Sequence, residues 1–249
     1  MMKRFLRYGL GCLISAAASI GPAMADVIFT DSTFNLANYT STAPFSSNAT
    51  ASLAVTQCPS CGVSGSALQT VATFNSSPSG TLVGETLINN AFSYNPQTLG
   101  AITSIDTSVA KNIFTTLTGT GFGNSFRLTI EQNGVFYQDA IAGLPFNGPN
   151  DATHPGYALI SATGLLATNF ISFDPATGAT GSLNPNFAGT TLLFGLTQNT
   201  GTSGTGTLTT QYDNLNIDLH AAPEPASLAL LGTALAGLGL IRRRRRKEF

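Results

Sequence analysis

The chain has no tryptophan, two histidines, three cysteines, and charged residues at only 9% of its 249 positions. Soluble globular domains usually carry about 25% charged residues. Basic side chains are almost absent from the middle. Lys3, Arg4 and Arg7 stand at the start, and Arg242 to Arg246 with Lys247 at the end, which leaves Lys111 and Arg127 between them. From Asp26 to His220 ten acids face those two bases. Such a body lacks the cations that neutralise phosphates, so a nucleic-acid partner is excluded. With His154 and His220 as the only imidazoles, neither histidine-based catalysis nor a histidine-rich metal site is expected. Zinc needs four ligands, and the Cys58-Pro59-Ser60-Cys61 pair has no second cysteine pair to complete it. In an oxidising space these two thiols are expected to close a local disulfide, and so small a ring gains little stability. The missing tryptophan removes the usual stacking platform for sugars. Exposed Tyr39, Tyr94 or Tyr157 would have to replace it, although each also reads as a core or rim residue. The ten acids form no hydrolase motif, and the body is expected to be non-enzymatic.

The two ends are where the apolar runs lie. Residues 1–25 have the three parts of a secretory signal peptide: a basic start, an apolar stretch from about Gly9 to Ile20, and small residues at Ala23-Met24-Ala25. Ala23 and Ala25 fit the narrow subsites of signal peptidase, and cleavage leaves Asp26 as the new N-terminus. At the other end Pro223-Glu224-Pro225 precedes sixteen uncharged residues, 226–241, and then Arg242, Arg243, Arg244, Arg245 and Arg246. As a helix those residues reach about 24 Å at 1.5 Å per residue. That is somewhat short of the roughly 30 Å hydrocarbon core, and snorkelling arginines cover part of the deficit. Basic flanks resist translocation, so the arginines stay cytoplasmic and the body lies outside. The prolines deny helix geometry just ahead of the membrane and leave an extended, exposed strip bearing one acid.

This order of Pro-Glu-Pro, short apolar helix and arginine cluster resembles the PEP-CTERM sorting signal of Gram-negative bacteria. The resemblance implies that residues 221–249 are read and removed by exosortase, a membrane-embedded enzyme, after transient anchoring in the inner membrane. The processed protein then goes to the cell surface or the extracellular polymer.

Between the ends, residues 26–220 are rich in Ser, Thr, Asn and Gly, with short apolar or alternating runs broken by turn residues. Strands are expected at Val27–Thr30, Ser52–Thr56, Ala67–Phe74, Ala91–Tyr94, Ala101–Asp106 and Ile113–Thr118. Others are expected at Phe126–Glu131, Val135–Asp139, Tyr157–Ser161, Asn169–Phe173, Thr191–Thr197 and Thr207–Leu219. No body segment keeps an amphipathic 3.6-residue period over three turns. Many short β-rich runs with regular turn signals predict an all-β, jelly-roll-like antiparallel β-sandwich. The clearest unit is Phe126 to Asp139. Phe126, Leu128 and Ile130 alternate with Arg127, Thr129 and Glu131, and Asn133-Gly134 supplies the two positive φ angles of a tight type I′ hairpin turn.

Asp31-Ser32-Thr33-Phe34 near the start and Tyr212-Asp213-Asn214-Leu215 in the last strand resemble the terminal strands of jelly-roll carbohydrate-binding and lectin-like domains. That resemblance implies neighbouring first and last strands and assigns Asp31 and Asp213 to a structural calcium. The expected function is structural or adhesive, within exopolysaccharide or biofilm. The alternative is a carbohydrate-binding module, calcium-dependent or not, and a glycan-active enzyme is the remaining reading.

Overall fold

A computed structural model describes residues 26–47, 50–75, 80–118, 122–140 and 156–222. The expected signal peptide, the Pro-Glu-Pro strip and the expected membrane helix at 226–241 lie outside the described residues. Among the described residues no helix is long and apolar enough to cross a membrane. Asp26–Ala221 forms one compact unit.

The described strands are β1 (Val27–Asp31), β2 (Tyr39–Ser41), β3 (Phe45–Ser46), β4 (Ala51–Gly62), β5 (Gly65–Phe74) and β6 (Thr81–Tyr94). They continue with β7 (Ile102–Thr115), β8 (Phe122–Gln132), β9 (Val135–Asp139), β10 (Ala158–Leu165), β11 (Phe170–Phe173), β12 (Leu192–Thr202) and β13 (Gly206–Ala221). They pair into two antiparallel sheets that face each other as a jelly-roll-like sandwich. Sheet A runs β10–β7–β13–β5–β4, with β1 also on β13. Sheet B runs β11–β9–β8–β12–β6–β2, with β3 also on β6. The long β13 organises sheet A. Residues Gly206 to Tyr212 take β5 as their neighbour, and Leu215 to Leu219 take β1. First and last strands are therefore adjacent, with Val27 opposite Leu219.

Alternation explains the hairpin of β8 and β9. Phe126, Leu128 and Ile130 point inward and are fully buried. Asn133 and Gly134 turn the chain at φ 55° and 78°, and Gln132 pairs with Val135 across the two-residue loop. The Gly134 N–H donates to Glu131 Oε1 at 2.6 Å, so the acid that begins the turn also fixes it.

Several strands run longer than the sequence pattern implies. The expected strands at Ala101–Asp106 and Ile113–Thr118 are one continuous β7. Its middle residues look like a break because Thr107, Ser108, Lys111 and Asn112 are polar. Ladder pairing to β13 on one side and β10 on the other satisfies the backbone there, and a central strand tolerates polar side chains that find partners. β6 begins ten residues ahead of Ala91, where Glu85, Thr86 and Asn89 hide the apolar pattern. β2 and β3, of three and two residues, are too short to show any period. Cys58 and Cys61 are joined by a disulfide at the end of β4, where the register with β5 shifts between Cys58 and Gly62.

The main core joins Leu128, Ile130, Phe194 and Leu196 of sheet B to Ile105, Val109, Tyr212 and Ile217 of sheet A. A smaller cluster gathers Leu53, Ala72, Phe74 and Val83. The inward face also carries a polar network. Lys111 Nζ donates to the Asn124 carbonyl at 3.0 Å, Asn124 Nδ2 donates to Thr200 Oγ1 at 2.8 Å, and the Tyr212 hydroxyl donates to Asn124 Oδ1 at 3.1 Å. Burial holds Lys111 down to a pKa of about 7.

Candidate functional site

The outer face of sheet A carries the chemistry. Because side chains alternate along each strand, the burial of Lys111 and Ile113 turns Asn112 and Phe114 outward. Register then builds rows across strands. Asn112 stands opposite Gln211, Gln211 opposite Gln69, and Gln69 opposite Thr56. Side-chain amides link this row: Asn112 Nδ2 donates to Gln211 Oε1 at 3.4 Å and Gln211 Nε2 to Gln69 Oε1 at 3.0 Å. The adjacent row is Phe114, Thr209, Val71 and Ala54. Phe114 is 49% exposed, a large apolar ring left beside a line of amides. Neither row contains a charged residue. An exposed ring next to fixed amide donors and acceptors suits a neutral, polyhydroxylated ligand, with C–H faces against the ring and hydroxyls on the amides.

A second cluster lies on the same face, where β1, β13 and β7 meet. Asp218 stands opposite Asp106 on one side and Ile28 on the other. The His220 imidazole bridges two carboxylates, with Nδ1 at 3.2 Å from Asp26 and Nε2 at 3.3 Å from Asp106. Hydrogen bonding to Asp106, then to Asp26, outweighs partial desolvation and raises the His220 pKa. Asp106 also accepts the Gly164 N–H at 2.6 Å. Asp26, Asp218 and His220 place ligand atoms within 4.8 Å of one another.

Asp31 and Asp213, assigned to calcium by resemblance, are each engaged by neighbouring loops. Asp31 Oδ1 accepts the N–H groups of Thr33 and Phe34, at 2.8 and 2.7 Å, and Oδ2 accepts the Tyr39 hydroxyl at 2.8 Å. Asp213 Oδ2 accepts the Val63 N–H at 2.7 Å and Oδ1 the Asn214 N–H at 2.7 Å. These donors give both acids a task within the protein. Of the tyrosines, Tyr39 and Tyr94 are buried, and the Tyr94 hydroxyl donates to the carbonyls of Leu99 and Gly100. Tyr157 donates to the Cys61 carbonyl, and burial with the nearby Asp213 charge pushes its pKa up to about 12. Ala23, Ala25, Pro223, Glu224, Pro225 and Arg242 to Arg246 lie outside the described residues.

Neither the amide row nor the His220 cluster is visible in the linear chain. Their members stand up to 194 residues apart in the chain (Asp26 and His220), and almost all are ordinary polar residues of β-strands. Two local signals hint at them: the Asp218-x-His220 alternation, and the two-residue spacing of Asn112 and Phe114.

Residues 221–246 match the PEP-CTERM protein-sorting motif. No curated protein matches the chain. Among solved structures, the family 11 carbohydrate-binding module of the cellulosomal cellulase Lic26A-Cel5E of Clostridium thermocellum is similar at 11% identity and a TM-score of 0.40, over 82% of this chain and 98% of that one. TmCBM27, described for mannan recognition, is similar at 11% identity and a TM-score of 0.36, over 78% and 98%. The CBM22-1 xylan-binding domain of Paenibacillus barcinonensis Xyn10C is similar at 13% identity and a TM-score of 0.28, over 83% and 99%.

Proposed function

We propose that this chain is an exported, non-catalytic component of the extracellular polymer that holds neutral polysaccharide on the outer face of sheet A. The observation that supports the reading is the uncharged row Asn112, Gln211, Gln69 and Thr56 with the exposed Phe114 ring beside it. Net charge narrows the ligand. Ten acids against two bases repel an anionic polymer, whereas a neutral glycan meets no electrostatic cost. The delivery half of the proposal rests on the sorting motif. Signal peptidase releases residues 1–25, the segment 226–241 holds the body at the inner membrane, and exosortase removes the tail around Pro223-Glu224-Pro225.

Affinity electrophoresis of the full chain in gels containing neutral or acidic polysaccharides tests the ligand. Retardation by neutral polymers alone is expected. Phe114→Ala should weaken it by about tenfold, equivalent to about 1.4 kcal/mol. Retardation that survives both Phe114→Ala and Gln211→Ala would place the ligand on another face. A chelator arm in the same gels tests whether Asp31 and Asp213 also carry an ion that binding depends on. For delivery, Glu224→Ala in the native host should leave unprocessed chain in the inner membrane, and normal release would refute that half.

A further inference from the structure

We propose that two copies of this chain pair through β4, edge to edge, joining their A sheets into one continuous antiparallel sheet. An edge strand presents a row of unused N–H and C=O groups, and folded proteins normally disable it with shortness, bulges, charge or a cover. Four of the five margins here are disabled. One is β1, only five residues long, which pairs with β13 alone among the described residues. On one side of sheet B the margin is β2 and β3, of three and two residues. On the other it is the four-residue β11, covered by the segment that follows: the Ser172 N–H donates to the Leu183 carbonyl, the Gly181 N–H to the Ser172 carbonyl, and Phe173 bridges Thr180. In sheet A, β10 is interrupted by a register shift between Ala162 and Leu165. The remaining margin, β4, has none of these devices along most of its length. It runs for 12 residues, pairs without interruption from Ala51 to Cys58 with β5, and has no ladder partner on its other side among the described residues.

The chemistry of that edge selects a second copy as the occupant. Ala51–Gly62 contains no charged residue, nor does its neighbour Gly65–Phe74, although the body as a whole is acidic. Two like-charged bodies meet there with the least repulsion. The outward side chains of β4 are Ser52, Ala54 and Thr56, all exposed and small, so a second sheet continues the surface without a steric step. Antiparallel pairing about a twofold axis places the strand against itself, the isologous arrangement that closes at a dimer.

Light scattering on the full chain in detergent micelles, with the detergent contribution subtracted, reads the result. A mass of twice 25.7 kDa is expected. Ala54→Lys and Ser52→Lys, each setting like charges against each other across the axis, should halve it. Thr30→Lys, which adds the same charge at an exposed site on β1, should leave the dimer intact. Circular dichroism of each variant checks that the sheets persist. A monomeric parent chain overturns the proposal. So does a dimer that survives both β4 substitutions, because association would then run through another surface or the membrane segment.

Discussion

Lys111 gives the sharpest quantitative test of the sandwich interior. Its side chain lies between the sheets with 4% of its surface exposed, and Nζ donates to the Asn124 carbonyl at 3.0 Å. Burial disfavours the charged form, so the folded pKa falls from 10.5 to about 7. In the unfolded chain the group keeps its ordinary value, and between those limits the unfolded state binds one more proton. Stability must therefore rise with pH, by about 1.4 kcal/mol per unit once the folded group is neutral. The rise amounts to about 2 kcal/mol from pH 7 to 9. The perturbation is Lys111→Met, which keeps the length of the stem and removes the titration. Urea unfolding of both chains, followed by far-ultraviolet circular dichroism between pH 6 and 9.5, yields the difference in stability at each pH. Other groups titrate in both chains and cancel. The parent should gain about 2 kcal/mol on the variant between pH 7 and 9. A difference that stays constant with pH would refute the burial argument.

Other parts of the structure make separate predictions. Phe126→Ala empties a fully buried site against Tyr212, whose ring centroid is 5.4 Å away, and should cost about 3–5 kcal/mol in the same unfolding assay. His220→Gln should lower the melting temperature at acidic pH and leave it unchanged at alkaline pH. The raised His220 pKa means that its contribution is fully present below about 6.5 and is lost as pH climbs through the folded value. Asp213→Ala strands the Val63 N–H and should destabilise by about 1–3 kcal/mol, with faster amide exchange at Val63 as the local signature. Phe114→Ala, at a half-exposed position, should leave stability within about 0.5 kcal/mol of the parent, so any loss of polysaccharide retention is a loss of binding.

Strong periodicity made part of the fold legible. The β8–β9 hairpin could be read because alternation and turn chemistry agreed locally, although β8 begins four residues ahead of Phe126. β1, β5 and β11 were located to within one or two residues for the same reason. The middle of β7 and the first half of β6 were not legible. Their polar residues point into ladders and networks supplied by strands far away in the chain, and a local window sees only a break. β2 and β3 carry no signal because two or three residues cannot display a period.

The sorting motif at 221–246 needed no tertiary structure at all. Its signal is a linear order of prolines, apolar residues and arginines. Class of fold and scarcity of basic side chains likewise follow from composition and alternation. Cross-strand register decided the rest. It set Gln69, Asn112 and Gln211 into one row, brought Asp26 and Asp106 to the two nitrogens of His220, turned Asp31 and Asp213 onto loop N–H groups, and left β4 on the margin of its sheet. A shift of one residue in any of those pairings would exchange the inner and outer faces. Register is fixed by the burial of every strand at once, which no single segment encodes.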